Sequence, residues 1–122
     1  MAEAMLLFML VIKHALADLV LQSRLTSGDK SNLKSPKGYI HAADHSLLTF
    51  VVTIFFTGLL NAILISLLDF VLHFIIDYIK TRCVRHFNVQ TNSSTFWIVQ
   101  GVDQIAHYSC YFLYVLLLTN HL

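Results

Sequence analysis

Asp69, His73 and Asp77 follow one another at intervals of four residues inside an apolar run that also holds Phe70, Val71, Leu72, Phe74, Ile75 and Ile76. Four residues is about one helical turn, so the three side chains stack on one face of a helix. Carboxylates and neutral imidazoles are oxygen and nitrogen ligands for first-row divalent metals, and the same groups carry protons or ions inside membranes. The device recurs along the chain. His14, Asp18 and Gln22 are spaced by four; His41 and His45 are one turn apart with Asp44 between them; Gln100, Asp103 and His107 share a face with Gln104 beside them.

Elements of one kind must carry these groups. Of the 122 residues, 57% are hydrophobic and 12% charged, and the mean hydropathy is +0.67. Soluble domains are roughly a quarter charged, so the composition points to an integral membrane protein of one domain, residues 1–122. Its hydrophobic blocks predict helices at 4–23, 39–60, 62–82 and 95–118, each near the roughly 20 residues a bilayer requires. The second and third are expected to meet in a tight hairpin at 57–61. The expected fold is all-α: a four-helix transmembrane bundle with an inward-facing His/Asp cluster. The acidic start Met1-Ala2-Glu3-Ala4 does not resemble the basic end of a cleavable leader. Cys83 and Cys110 form no spaced motif, and a metal role is not expected of them. No nucleotide-binding loop or nucleic-acid reader is visible.

Charge placement predicts orientation. Arg24, Lys30, Lys34 and Lys37 follow the first helix, and Lys80, Arg82 and Arg85 follow the third; Lys13 alone lies elsewhere. The positive-inside rule puts both basic loops in the cytoplasm and both termini outside, as in a multi-pass protein of a bacterial inner membrane. Those loops would draw anionic lipid headgroups. Counted from the cytoplasmic ends, the polar turns of all four helices fall roughly 8–18 Å below the boundary at 1.5 Å per residue. Asp18, Asp69, Asp77 and Asp103 facing lipid would cost about 10–14 kcal/mol together. They must face inward and be protonated, paired or metal-bound. Cations in that layer are few: Lys80 is at the rim, and Lys13 lies about 100° round the helix from His14, to snorkel or line a cavity. Two divalent ions would balance four carboxylates with the histidines neutral.

The motifs His14-x-x-x-Asp18-x-x-x-Gln22, His73-Phe-x-Ile-Asp77-Tyr-x-Lys80 and Asp103-Gln104-x-x-His107, with the second-helix histidine, resemble domain-of-unknown-function family 3307 over nearly the whole chain. These are small membrane proteins of bacteria and phages. The resemblance implies four membrane helices with inward His and Asp and carries no settled activity. It departs at Lys13, which precedes the histidine, and at Leu19, where an aromatic is common.

On the residues themselves the expected function is a metal-dependent hydrolase acting on a lipid or membrane-associated substrate at the cytoplasmic leaflet. The expected ligands are His14, Asp18, His45, His73, Asp77, Asp103 and His107. His45 and Asp69 are the expected catalytic groups, with Gln22, His41 and Gln104 supporting the ligands. Zinc is the first expectation for the ion, with one or two bound. A proton- or ion-conducting module and a membrane modulator with a structural metal site are the alternatives. Association into a homo-oligomer stays open.

Overall fold

The computed structural model describes residues 1–21 and 30–121; Gln22 and Arg24 lie outside them. Four helices account for most of the chain, and there is no strand among the described residues. α1 spans Ala2–Leu16 and passes into a π-helical turn, Ala17–Leu21. α2 spans Lys37–Ile54, α3 Leu59–His86 and α4 Ser94–Leu118, which ends in a single 3-10 turn.

Two boundaries differ from the sequence expectation. α2 ends at Ile54, where Thr53 and Thr57 turn their hydroxyls back onto the carbonyls of Thr49 and Thr53. Gly58, in extended conformation, then starts α3 directly. The hairpin therefore lies a few residues earlier than 57–61. α3 runs on through Lys80, Arg82 and Arg85 rather than stopping at 82, because no glycine or proline interrupts residues 59–86. At the start of α4, Ser93 caps the helix by accepting from the Phe96 amide.

Each helix packs on its neighbour in sequence, and α1 closes the ring against α4. The register is antiparallel at every seam. Lys13 meets His45 while Asp18 meets His41; Tyr39 stacks on Phe74 while Ser46 meets Ser66; Asp69 meets Tyr114 while Lys80 meets Asp103. One end of the bundle, with both termini and the α2–α3 turn, holds an apolar core of Leu6, Leu10, Ile65, Tyr111, Tyr114, Val115 and Leu118. The other end buries His14, His41, His45, His73, Asp77, Asp103 and His107.

The outer surface is the apolar one. Phe8, Leu19, Leu47, Phe55, Leu64, Leu67, Ile98, Val102, Ile105 and Phe112 are exposed, so each helix presents large apolar side chains outward and polar ones inward. Two helices, Ala2–Leu21 and Leu59–His86, are long and apolar enough to cross a membrane. α2 and α4 carry their hydropathy diluted by Lys37, His41, Asp44 and His45, and by Gln100, Asp103, Gln104 and His107.

Between Asn32 and Pro36 the chain turns back toward α2. A Cβ at Gly38 would lie 2.9 Å from the Lys30 carbonyl oxygen and 3.1 Å from the Phe74 ring. Glycine there lets the connecting segment approach α2 and α3 closely enough for Lys30 to enter the polar end.

Candidate metal centre

Asp18 is the hub of one half of the cluster. Its Oδ1 lies 3.2 Å from His41 Nε2 and 3.1 Å from His45 Nε2, and its Oδ2 lies 3.2 Å from His14 Nε2. The residue belongs to the π-helical turn, a local widening that often occurs at functional sites. Donor atoms on a tetrahedron with bonds of about 2 Å sit about 3.3 Å apart. The distances around Asp18 match that spacing, with donors from α1, α2 and the π-turn.

His73 occupies the centre. Its ring stacks on His45 at 3.6 Å between centroids, lies 4.1 Å from His107, 5.3 Å from His41 and 5.6 Å from His14. It is 2% exposed, and neither Nδ1 nor Nε2 has a hydrogen-bond partner among the described residues. His41 Nδ1, His45 Nδ1 and Asp103 Oδ1 are likewise buried without partners among the described residues. Buried polar atoms are almost always satisfied, and each orphan costs about 1–3 kcal/mol. A core built only to hold the fold together would not concentrate them here.

The second half is built on α3 and α4. Asp77 Oδ1 and Asp103 Oδ1 lie 3.7 Å and 3.6 Å from His107 Nε2, and Asp77 Oδ2 lies 3.5 Å from His41 Nε2 and 3.7 Å from His73 Nε2. Among the described residues three donor sets come close enough to hold an ion: Asp18, His41, His45 and His73; His14, His73 and His107; Asp77, Asp103 and His107. His73 links the first two and His107 the last two. Mixed carboxylate–imidazole sets of this kind suit zinc, manganese or iron.

His14 is oriented from behind. Its Nδ1 lies 2.8 Å from the Tyr111 hydroxyl. Such a partner fixes the tautomer and leaves Nε2 for the cluster, as outer partners do for metal-ligating histidines.

Residues 6–122 match the family described as protein of unknown function DUF3307. The chain belongs to that family. No curated protein and no solved structure matches it.

In this DUF3307 chain all seven expected ligands meet at one level, and His41 joins them, touching both Asp18 and Asp77. Gln104 flanks the site, its amide 3.5 Å from Asp103. Gln22 lies outside the described residues. Asp44, half-buried, is not among the clustered donors.

Asp69 stands apart from the clustered donors. Its carboxylate accepts from Lys13 Nζ at 2.9 Å, Thr49 at 2.6 Å and Tyr114 at 3.0 Å. Lys13 does not snorkel: it is 2% exposed and also donates to the His45 carbonyl at 3.3 Å. Nor are cations few in this part of the bundle. Lys30 pairs with Asp77 at 2.9 Å and Lys80 with Asp103 at 2.8 Å. With Asp69 already neutralised, three carboxylates face two ammonium groups among the described residues, which leaves one negative charge there rather than four. One divalent ion more than compensates for it.

Sequence reasoning grouped Lys30 with the headgroup-attracting loop, and its sequence separation of 47 from Asp77 carries no periodic signal. Tyr111 and Tyr114 read as packing residues. Their four-residue steps from His107 and from Cys110 put them on inward faces, and that was the one available hint of their hydroxyl roles.

Proposed function

We propose that this protein is a four-span membrane metal hydrolase whose His/Asp centre acts on a lipid or membrane-associated substrate at the cytoplasmic leaflet. The carrying observation is His73, an imidazole in the middle of four others with both nitrogens buried and without a hydrogen-bond partner among the described residues. A divalent transition metal, zinc first, fits the donor chemistry of Asp18, His41, His45 and His73. Bound there, such an ion supplies a Lewis acid that polarises an ester or phosphoryl oxygen and makes hydroxide accessible near neutral pH. The chain's own residues do the rest. Lys30 and Lys80 hold developing negative charge, Gln100 and Gln104 offer amides beside it, and Tyr111 holds the His14 ring.

The outward apolar faces of α2 and α4 support four spans despite their diluted hydropathy. The fully buried core of Leu6, Leu10, Tyr111 and Tyr114 beyond the cluster favours a site open to one side over a conducting path.

Elemental analysis of protein purified in detergent without chelators is expected to find at least one equivalent of transition metal per chain. A protein that carries none, and takes up no added zinc, would remove the metal reading altogether.

The orientation has its own check. In a variant lacking Cys83 and Cys110, a cysteine placed at position 2 is expected to react with an impermeant maleimide added outside intact cells. Cysteines at the exposed positions 34 and 90 are expected to react only after lysis. The reverse pattern would turn the site toward the opposite leaflet.

A further inference from the structure

The two donor sets that share His73 differ in number, and for a divalent ion the number decides what a site can do. Asp18, His41, His45 and His73 supply four donors; His14, His73 and His107 supply three. Four protein donors close a tetrahedral zinc site, the pattern of structural ions, whereas three leave a position for an exchangeable ligand. Hydrolysis needs the open kind. The three-histidine set has its own supports. All three rings are buried, with centroids 4.1, 4.9 and 5.6 Å apart. The Tyr111 hydroxyl occupies His14 Nδ1 at 2.8 Å, and His14 Nε2 is buried without a hydrogen-bond partner among the described residues, although Asp18 Oδ2 is 3.2 Å away. His14 has no place in the four-donor set, so an ion confined to that set would leave this oriented nitrogen unused. Asp77 and Asp103 flank His107 Nε2 at 3.7 Å and 3.6 Å, beyond hydrogen-bond distance.

We propose that one divalent ion has two adjoining seats: a closed one on Asp18, His41, His45 and His73, and an open one on His14, His73 and His107, where an anionic or oxygen ligand completes the coordination. This rests on the metal-hydrolase reading and assigns the working position within it. His73 is the ligand common to both seats. Its ring stands 3.6 Å from His45 on the closed side and 4.1 Å from His107 on the open side. Neither of its nitrogens has a hydrogen-bond partner among the described residues, so nothing there ties the ring to one set. The seats are close enough to exchange an ion, since His14, a donor of the open seat alone, lies 4.9 Å from His45, a donor of the closed seat alone. Asp18 and Asp77 reach from the donors into a polar pocket of about 270 Å³, which gives a small ligand its way in.

The test uses purified full-length protein in detergent, loaded with cobalt(II), whose visible absorption reports its coordination, and azide as the probe anion. Wild type is expected to hold one cobalt per chain, with a spectrum that changes as azide binds. His107→Gln takes a donor from the open seat and leaves the four-donor set intact. It is expected to keep its cobalt and to bind azide at least tenfold more weakly. His45→Gln takes a donor from the closed seat alone. It is expected to bind azide more tightly than wild type, because a larger fraction of the ion then sits where azide can reach it. A wild-type spectrum that azide leaves unchanged describes a closed structural ion and overturns the open seat, and this result stands even where a variant fails to fold. Azide binding undiminished in His107→Gln overturns it too. A His107→Gln protein without cobalt, a His45→Gln protein that binds azide no more tightly than wild type, or two cobalt ions per wild-type chain overturns the exchange of one ion between two seats. In each of these cases the metal centre itself stands. A wild-type protein that takes up neither zinc nor cobalt removes the metal-hydrolase reading, and the two seats with it.

Discussion

His73→Leu is expected to empty the metal centre while leaving a folded protein. Removing an outer partner of a ligand already costs about 10–100-fold in affinity, so loss of the ligand shared by two donor sets is expected to cost at least that. The effect on stability has two signs. Without metal, His73 buries two polar atoms that have no hydrogen-bond partner among the described residues, in the midst of four other imidazoles. Leucine removes both and keeps a side chain of similar bulk, so the chelated variant is expected to melt above chelated wild type. With metal the order reverses, because binding to the native state stabilises by an amount that grows with ion concentration over the dissociation constant. Metal content and thermal unfolding, each with chelator and with zinc, check the pair of signs. A His73→Leu protein that keeps wild-type metal, or one less stable than wild type in chelator, would mean that the histidine is held for packing.

The cluster was legible because a helix repeats every 3.6 residues and a membrane penalises the alternative. His14 and Asp18, His73 and Asp77, and Asp103 and His107 share faces by spacing alone, and the cost of lipid-exposed carboxylates turns those faces inward. What stayed hidden depends on groups that periodicity cannot place. Lys13 sits next to His14, and one-face reasoning turns it away. A helix in a four-membered ring touches two neighbours and the centre, and both positions are buried. Lys30 reaches Asp77 only through the close approach at Gly38, a tertiary event with no local signature. Asp69 looked like part of the catalytic line because it is one turn from His73. That turn carries it up to the level of Thr49 and Tyr114, where it meets the lysine. The same three lysines answer the charge problem that seemed to demand two ions.

The Lys13–Asp69 pair yields the other large effect, and it separates stability from catalysis. Both side chains are almost fully buried, at 2% and 1% exposure. Lys13→Met leaves Asp69 with the Thr49 and Tyr114 hydroxyls but no cation. Asp69→Asn leaves the ammonium with the His45 carbonyl and the Tyr111 ring face, 4.7 Å from its centroid. Breaking one side of a buried pair costs about 3–5 kcal/mol, whereas removing both charges together is often neutral. Each single variant is therefore expected to lose about 3–5 kcal/mol against denaturant in detergent. The Lys13→Met, Asp69→Asn double variant is expected to recover most of it, since the asparagine oxygen accepts from one of the two hydroxyls and its amide can donate to the oxygen of the other. The recovered protein then answers the mechanistic question. Because Asp69 stands apart from the donors, the double variant is expected to hold metal as wild type does and to keep its turnover. If it is stable and metal-loaded but inactive, Asp69 takes part in the chemistry after all. If the single variants are as stable as wild type, the pair is not the closed ion pair that its distances describe.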